Sequence, residues 1–260
     1  MKHLVTVLAH ERTGTNYFLG FINNKFKNII CNYEVFNPGK CYLLPKFLTA
    51  LKNNDYNVEQ NHLQKISKKN PVKFLKTLLN LCEQKIMFHK IFPSHLDINQ
   101  VYKIIDTSQF IFILKRNFID VYISLQKCLS LVNEWSKTKA NYPPGYNIWA
   151  NSNTTNIKIT FDPDDFEKKK EKYDNWYMGI EKYLKKINKK FDIIYYEAFH
   201  KLSNEEKKIY LKNKLLLSIP EDLLEFDDNT RILPFFKQDL ETDYQNKITN
   251  YTDFKKYFKL

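Results

Sequence analysis

Short runs of apolar and β-branched residues alternate along the chain with longer stretches whose apolar residues recur at helical spacing. His3–Ala9 (HLVTVLA) is the first run, and the polar HERTGTN that follows it leads into an amphipathic stretch from Tyr17 to Phe26, so the pattern predicts strand, loop and helix. Asn28–Asn32 (NIICN) predicts a second strand, closed by the polar turn around Asn37, Pro38 and Gly39. The Lys- and Asn-rich, Leu-spaced region up to Glu83 reads as two or three helices, with Pro71 at a first helical position, and Lys85–Phe92 (KIMFHKIF) as a further strand.

Gln109–Lys115 (QFIFILK) contains successive apolar residues, the signature of a strand covered on both faces. A helix is expected directly after it, with Asn117 as N-cap, Asp120 in the first turn, and Val121, Leu125, Cys128 and Leu131 on its apolar face. Tyr142–Asn156, which carries Pro-Pro-Gly and small polar residues, predicts a loop or lid within 138–162. Phe166–Ile187 predicts a long helix, Phe191–Tyr196 a last strand, and Asp243–Phe258 a terminal amphipathic helix. Strands alternating with helices predict an α/β fold, a central mostly parallel sheet flanked by helices, organised as a single domain over 1–260. Ligands of such sheets bind beyond the carboxyl ends of the strands.

No apolar stretch approaches the roughly 20 residues that span a bilayer, and Glu11 and Arg12 interrupt the N-terminal run. The expectation is therefore no membrane segment, no signal peptide and a cytoplasmic location. Cys31, Cys41, Cys82 and Cys128 are far apart, and the six histidines form no H-E-x-x-H pattern, so no metal site is expected.

The 41 basic and 29 acidic residues leave a net charge of +12, which favours an anionic partner. Only Arg12, Arg116 and Arg231 are arginines; all the other basic residues are lysines. A/T-rich codon usage accounts for such a lysine excess, and runs such as Lys168–Lys172 read as solvated helix faces. Against that background an arginine marks a place where a rigid, permanently charged fork matters, typically at phosphate or carboxylate.

Two of the three arginines fall at strand ends. In His10–Tyr17 (HERTGTNY), Gly14 lets the backbone turn close to a ligand, and the amides of Thr15 and Asn16 open a helix toward an anion. Thr13 and Thr15 add hydroxyls and Arg12 a fixed charge. The loop lacks G-x-x-x-x-G-K-[ST] and so does not fit an ordinary ATP or GTP loop; a merely capped helix is the alternative. In Lys115–Ser124 (KRNFIDVYIS), Arg116 ends the strand and Ser124 lies two turns, about 10 Å, into the helix, within reach of one shared phosphate. Lys127 shares the face of Ser124, and a structural Arg116–carboxylate pair is the alternative there.

Together these motifs resemble the sulfotransferases that use 3′-phosphoadenosine 5′-phosphosulfate (PAPS). RTGTNY resembles their 5′-phosphosulfate loop and RNFIDVYIS their 3′-phosphate motif R-N-P-x-D-x-x-x-S. IIYYEAF, FFKQD and ITNYTDF are similar to further segments of the bacterial members, among them the nodulation-factor and trehalose sulfotransferases. The resemblance implies a P-loop-like sulfotransferase fold and PAPS as sulfuryl donor. It gives Arg12, Thr13, Gly14, Thr15 and Asn16 to the 5′-phosphosulfate, Arg116 and Ser124 to the 3′-phosphate, and Tyr17 to adenine stacking. Tyr196 and Lys237 would add adenine and 3′-phosphate contacts.

A base must accept the acceptor hydroxyl's proton. The K-T-H histidine of many cytosolic members is absent, because Phe92 stands two residues after Lys90. By similarity to the bacterial group the base is Glu34 in NYEVFNP, with His95 as second choice. Arg12 stands where many members have lysine, and since guanidinium keeps its proton it serves only as an electrostatic clamp. Phe118 replaces the motif's proline, and the role of the missing C-terminal R-K-G segment falls to Lys237 or Arg231. The implied partners are the nucleotide donor and a hydroxyl acceptor of the carbohydrate or glycolipid class, not nucleic acid. Tyr142, Tyr146 and Trp149 either stack on a sugar or pin the lid. The competing readings are a P-loop-type nucleotide kinase and a non-catalytic basic nucleic-acid-binding module, which would bind with a steep salt dependence.

Overall fold

The structure, a computed structural model, describes residues 1–138, 157–227 and 243–260, with backbone only for 132–138. Its described strands are β1 (His3–Ala9), β2 (Ile29–Asn32), β3 (Ile86–Ile91), β4 (Phe110–Lys115) and β5 (Phe191–Tyr195). They form one sheet in the order β2-β3-β1-β4-β5, and every pairing is parallel. The α/β class with a parallel central sheet is thus as the alternation of elements predicts. The described helices are α1 (Thr15–Lys25), α2 (Pro45–Lys52), α3 (Gln60–Lys69), α4 (Pro71–Leu81), α5 (Ile98–Thr107), α6 (Phe118–Thr138), α7 (Pro163–Lys186), α8 (Tyr196–Lys201), α9 (Asn204–Leu215), α10 (Tyr244–Lys247) and α11 (Tyr251–Phe258). Among the described residues no helix is long and apolar enough to cross a membrane.

The chain forms two compact units. The first comprises Met1–Lys115 and Met178–Pro234, the second Arg116–Tyr177 and Phe235–Leu260. In the first unit, all seven residues of β1 and all six of β3 are buried, as parallel strands covered on both faces require. Val5, Val7, Phe88, Phe112 and Leu114 of the sheet share one core with Phe18, Phe21 and Ile22 of α1 and with Phe199, Leu211 and Leu215 of α8 and α9. β1 sends its connection toward β2 and β4 sends its own toward β5, on opposite sides of the sheet. The carboxyl ends of the neighbours β1 and β4 are therefore a topological switch point, where sheets of this type open a crevice.

Local signals explain several helix starts. Pro71 is a first helical residue, and the side chain of Asn70 accepts a hydrogen bond from the Lys73 amide at 3.1 Å. Asn117 Oδ1 accepts from the Ile119 amide at 2.9 Å as α6 begins. In α9, Ser203 and Glu206 form a reciprocal capping box.

The second unit packs Tyr122, Phe161, Phe166, Ile248 and Phe254 into an aromatic core of its own. Here the terminal amphipathic segment departs from the single helix its spacing predicts. It is divided between α10 and α11 because Ile248 bridges Ile159 in parallel fashion. Asn250 then exchanges hydrogen bonds with the backbone of Phe161, accepting at 2.8 Å and donating at 3.0 Å. Side-chain competition of this kind draws the backbone out of a helix.

Polar residues also enter the sheet of the first unit. Thr6 Oγ1 lies 2.7 Å from His89 Nε2 and 2.7 Å from Ser108 Oγ, and Ser108 Oγ donates to the Ile104 carbonyl. His89 and His95 are both buried. Burial, reinforced by His95, pushes His89 down to about 3. Burial also pushes His95 down to about 4, outweighing the attraction of Glu34. Both rings are therefore neutral in the fold but take up protons below about pH 6.5 when unfolded, so stability falls as the pH drops from about 6.5 toward 4. Urea titrations across this range are expected to show a loss approaching 1.4 kcal/mol per pH unit for each histidine. His95→Gln should flatten that slope; an unchanged slope would mean that His95 is not held neutral.

Candidate active site

The loop between β1 and α1 is built around two left-handed residues, Arg12 at φ 66° and Gly14 at φ 84°. Thr13 is fully buried between them and donates its hydroxyl to the His10 carbonyl at 2.8 Å. Gly14 caps α1, and its carbonyl accepts the first helical bond from the Phe18 amide at 3.1 Å. The first amides of α1, from Thr15 onward, have no acceptor within the helix, which leaves a positive end at the switch point.

Two demands fall on position 14. Its φ is costly for any residue with a Cβ, and the ring of Tyr196 covers it so closely that an added Cβ would lie 2.3 Å from Tyr196 Cε2. Tyr196, the first residue of α8, is parallel to the ring of His200 at 5.5 Å. Tyr17 meets both edge-on, at 6.3 Å from Tyr196 and 5.3 Å from His200. The two tyrosines expected at a nucleobase thus flank the glycine turn, and His200 joins them without any sequence signal having marked it.

A residue not singled out in the sequence holds this region together. Lys90, next to last in β3 and opposite Val7 of β1, is only 1% exposed. Its Nζ donates to Asn16 Oδ1 at 2.5 Å and to Thr15 Oγ1 at 3.3 Å, and forms an ion pair with Glu34 Oε1 at 2.9 Å. The ring of Phe92 lies under the ammonium at 4.8 Å. Burial lowers the Lys90 pKa, and Arg12 adds to that, while Glu34 opposes it. The signal was Lys90 within the buried run IMFHKIF, where a charge needs a built-in partner.

Glu34 lies just beyond β2. Its Oε2 accepts from Asn37 Nδ2 at 2.6 Å, and its backbone carbonyl accepts from the amides of Asn37 and Tyr42. Burial alone would raise its carboxyl, but the ammonium of Lys90, hydrogen bonds from Lys90 and Asn37, and nearby His95 together hold it below the usual carboxylate range. The side chain is still 25% exposed, so the ion-paired carboxylate is not sealed from solvent. His95, the alternative base, is 3% exposed and tilts against Phe92 at 4.8 Å. Of the two, Glu34 is the accessible one.

A further link joins the loops after β1 and β3. Glu11 accepts from Ser94 Oγ at 2.6 Å and lies 3.0 Å from His10 Nδ1.

The other predicted residues belong to the second unit or lie outside the described residues. Arg116 follows β4, and its backbone is pinned from both sides: the Tyr173 hydroxyl accepts from its amide at 3.1 Å and donates to its carbonyl at 2.8 Å. Ser124 lies two turns into α6, and the nearby Lys127 is fully buried. Lys237, Arg231, Tyr142, Tyr146 and Trp149 lie outside the described residues, as does most of the expected lid at 138–162.

No protein-family model matches the chain, and no curated protein matches it significantly.

The contact between Gly14 and Tyr196 generates a direct test. Gly14→Ala is expected to cost about 1–2 kcal/mol from its left-handed backbone alone, with a further loss from the collision with Tyr196. In a Tyr196→Ala background only the backbone part should remain, giving a coupling of about 1 kcal/mol or more in a urea double-mutant cycle. Additive effects would contradict the close approach.

Proposed function

We propose that this protein is a PAPS-dependent sulfotransferase on a P-loop-like α/β fold, acting in the cytoplasm on a hydroxyl of a carbohydrate or glycolipid. One observation carries the reading: a glycine-turned loop opens α1 at the sheet's switch point, and the buried Lys90 links that helix start to a partly exposed carboxylate, Glu34. Cationic and amide donors beside a proton acceptor are what an activated anionic donor and a hydroxyl acceptor together need. The motif order, RTGTNY then RNFIDVYIS, supports assigning the donor to PAPS, and four buried thiols suit a reducing compartment.

In this reading the acceptor oxygen attacks sulfur as the bond from sulfur to the 5′-phosphate oxygen breaks. The hydroxyl proton passes to Glu34, and 3′-phosphoadenosine 5′-phosphate (PAP) leaves. Arg12 and the amides of Thr15 and Asn16 neutralise charge on the leaving phosphate, with Thr13 and Gly14 shaping the turn. The sequence resemblance assigns the 3′-phosphate to Arg116 and Ser124 and the adenine to Tyr17 and Tyr196. Lys237 is retained as a 3′-phosphate ligand on the sequence resemblance alone. Sulfuryl transfer, like phosphoryl transfer, draws mostly on alignment and charge neutralisation.

Calorimetric titration with PAP, ADP and ATP, without magnesium and at two salt concentrations, tests the reading. PAP should bind at least about tenfold more tightly than ADP, a gap of 1.4 kcal/mol, and Arg116→Ala should remove that preference. Glu34→Gln should abolish turnover with PAPS without weakening PAP binding. Equal affinity for PAP and ADP would overturn the assignment. Preference for ATP would favour the kinase, and a steep salt dependence without nucleotide preference would favour the nucleic-acid-binding module.

A further inference from the structure

Lys90 is shared between two groups with different tasks. Its Nζ is 2.5 Å from Asn16 Oδ1 and 3.3 Å from Thr15 Oγ1 at the start of α1, and 2.9 Å from Glu34 Oε1 beyond β2. An ammonium has three donors, and these three acceptors use them all. The ion is buried and cannot draw compensation from bulk water, so any new anion at the helix start competes directly with Glu34 for its field. Glu34 keeps its second oxygen on Asn37, which is itself anchored: Asn37 Oδ1 accepts from the Gly39 amide at 2.8 Å, and Gln64 donates to the neighbouring Pro38 carbonyl at 2.9 Å. The carboxylate is thus held by an anchored Asn37 on one side, while its counter-ion divides its three donors between Glu34 and the start of α1.

We propose that Lys90 is a positioning residue that couples occupancy of the β1–α1 loop to the protonation of Glu34. An anion at the helix start draws hydrogen bonds from the ammonium toward itself, and Glu34 changes from a clamped counter-ion into a better proton acceptor. The base thus gains strength only when the donor is in place. This rests on the sulfotransferase reading for the identity of the anion, but the ion network itself does not depend on it.

The other groups that act on this pair are identifiable. Glu34 is faced by Lys90 from β3, by His95 from the segment after β3, and by Asn37 and Tyr42 from its own loop. Lys90 also feels Arg12 and Glu11 of the β1–α1 loop, and His95 feels Lys68 of α3. His95 titrates well below neutrality and feels the charge of Glu34, so the test has to isolate Glu34.

The experiment is calorimetric titration of PAP in buffers of different ionisation heat near pH 5.5, using the whole protein, Glu34→Gln and Lys90→Gln. The phosphates of PAP exchange protons in every variant, so the informative quantity is the difference between proteins. The native protein should take up a fraction of a proton per PAP beyond that seen with either variant. Equal uptake by native protein and Glu34→Gln would overturn the coupling, as would full native uptake by Lys90→Gln. If Lys90→Gln fails to fold, the Glu34 carboxyl carbon resonance is followed against pH in the native protein. Its midpoint should rise by about one pH unit when PAP is bound, and an unmoved midpoint would overturn the proposal. Pyrophosphate, as a second probe, separates the two claims. Coupled uptake with pyrophosphate but no binding of PAP would sustain the coupling and remove PAPS as the donor; pyrophosphate bound without uptake would remove the coupling.

Discussion

A charged ammonium in the interior of a parallel sheet is the constraint on which the carboxyl end of that sheet depends. Lys90 is held in β3 by backbone pairing to β1 and β2, and leaving its charge without partners would cost several kcal/mol. The surrounding chain supplies them from two directions, Thr15 and Asn16 at the start of α1 and Glu34 at the exit of β2. The carboxyl ends of β1, β2 and β3 are thereby tied to one point. Glu34 in turn accepts from Asn37, whose own side chain accepts from the Gly39 amide in the following turn.

The same region carries its cost in backbone conformation. Arg12 and Gly14 both adopt left-handed angles, and Tyr196 closes over the glycine so that no side chain fits there. Strain and buried charge concentrated beside one helix start are features that proteins keep where a ligand is handled. The net charge of +12 is less informative, because much of it lies in lysines on exposed helix faces, such as Lys168 and Lys172 of α7.

Much of the fold was legible because its signals are local. The apolar runs at His3–Ala9 and Phe110–Lys115 are strands, Pro71 and Asn117 start helices as their chemistry dictates, and the alternation of elements implies a parallel sheet. The terminal segment misled because helical periodicity continues through Ile248 and Asn250, whereas their pairing with Ile159 and Phe161 comes from residues about ninety positions away. The capping box of Ser203 and Glu206 that starts α9 is a local signal that the sequence reading did not single out. Within the site, Gly14, Thr15 and Asn16 stood out by motif, and Glu34 by resemblance. Lys90 did not, because its significance is a matter of burial: the same lysine on a solvated strand would mean nothing. The approach of Tyr196 to Gly14 is likewise a tertiary fact, spanning the chain from β1 to β5 and leaving no trace in local spacing.

The proposed function places the phosphate end of an anionic nucleotide at the β1–α1 loop, with Lys90 beneath it. Backbone amide resonances of the labelled protein, followed as PAP is added, test this most directly. Gly14, Thr15 and Asn16 are expected to shift most strongly and to saturate together with the binding isotherm. Saturable binding that leaves these three amides unmoved would contradict it.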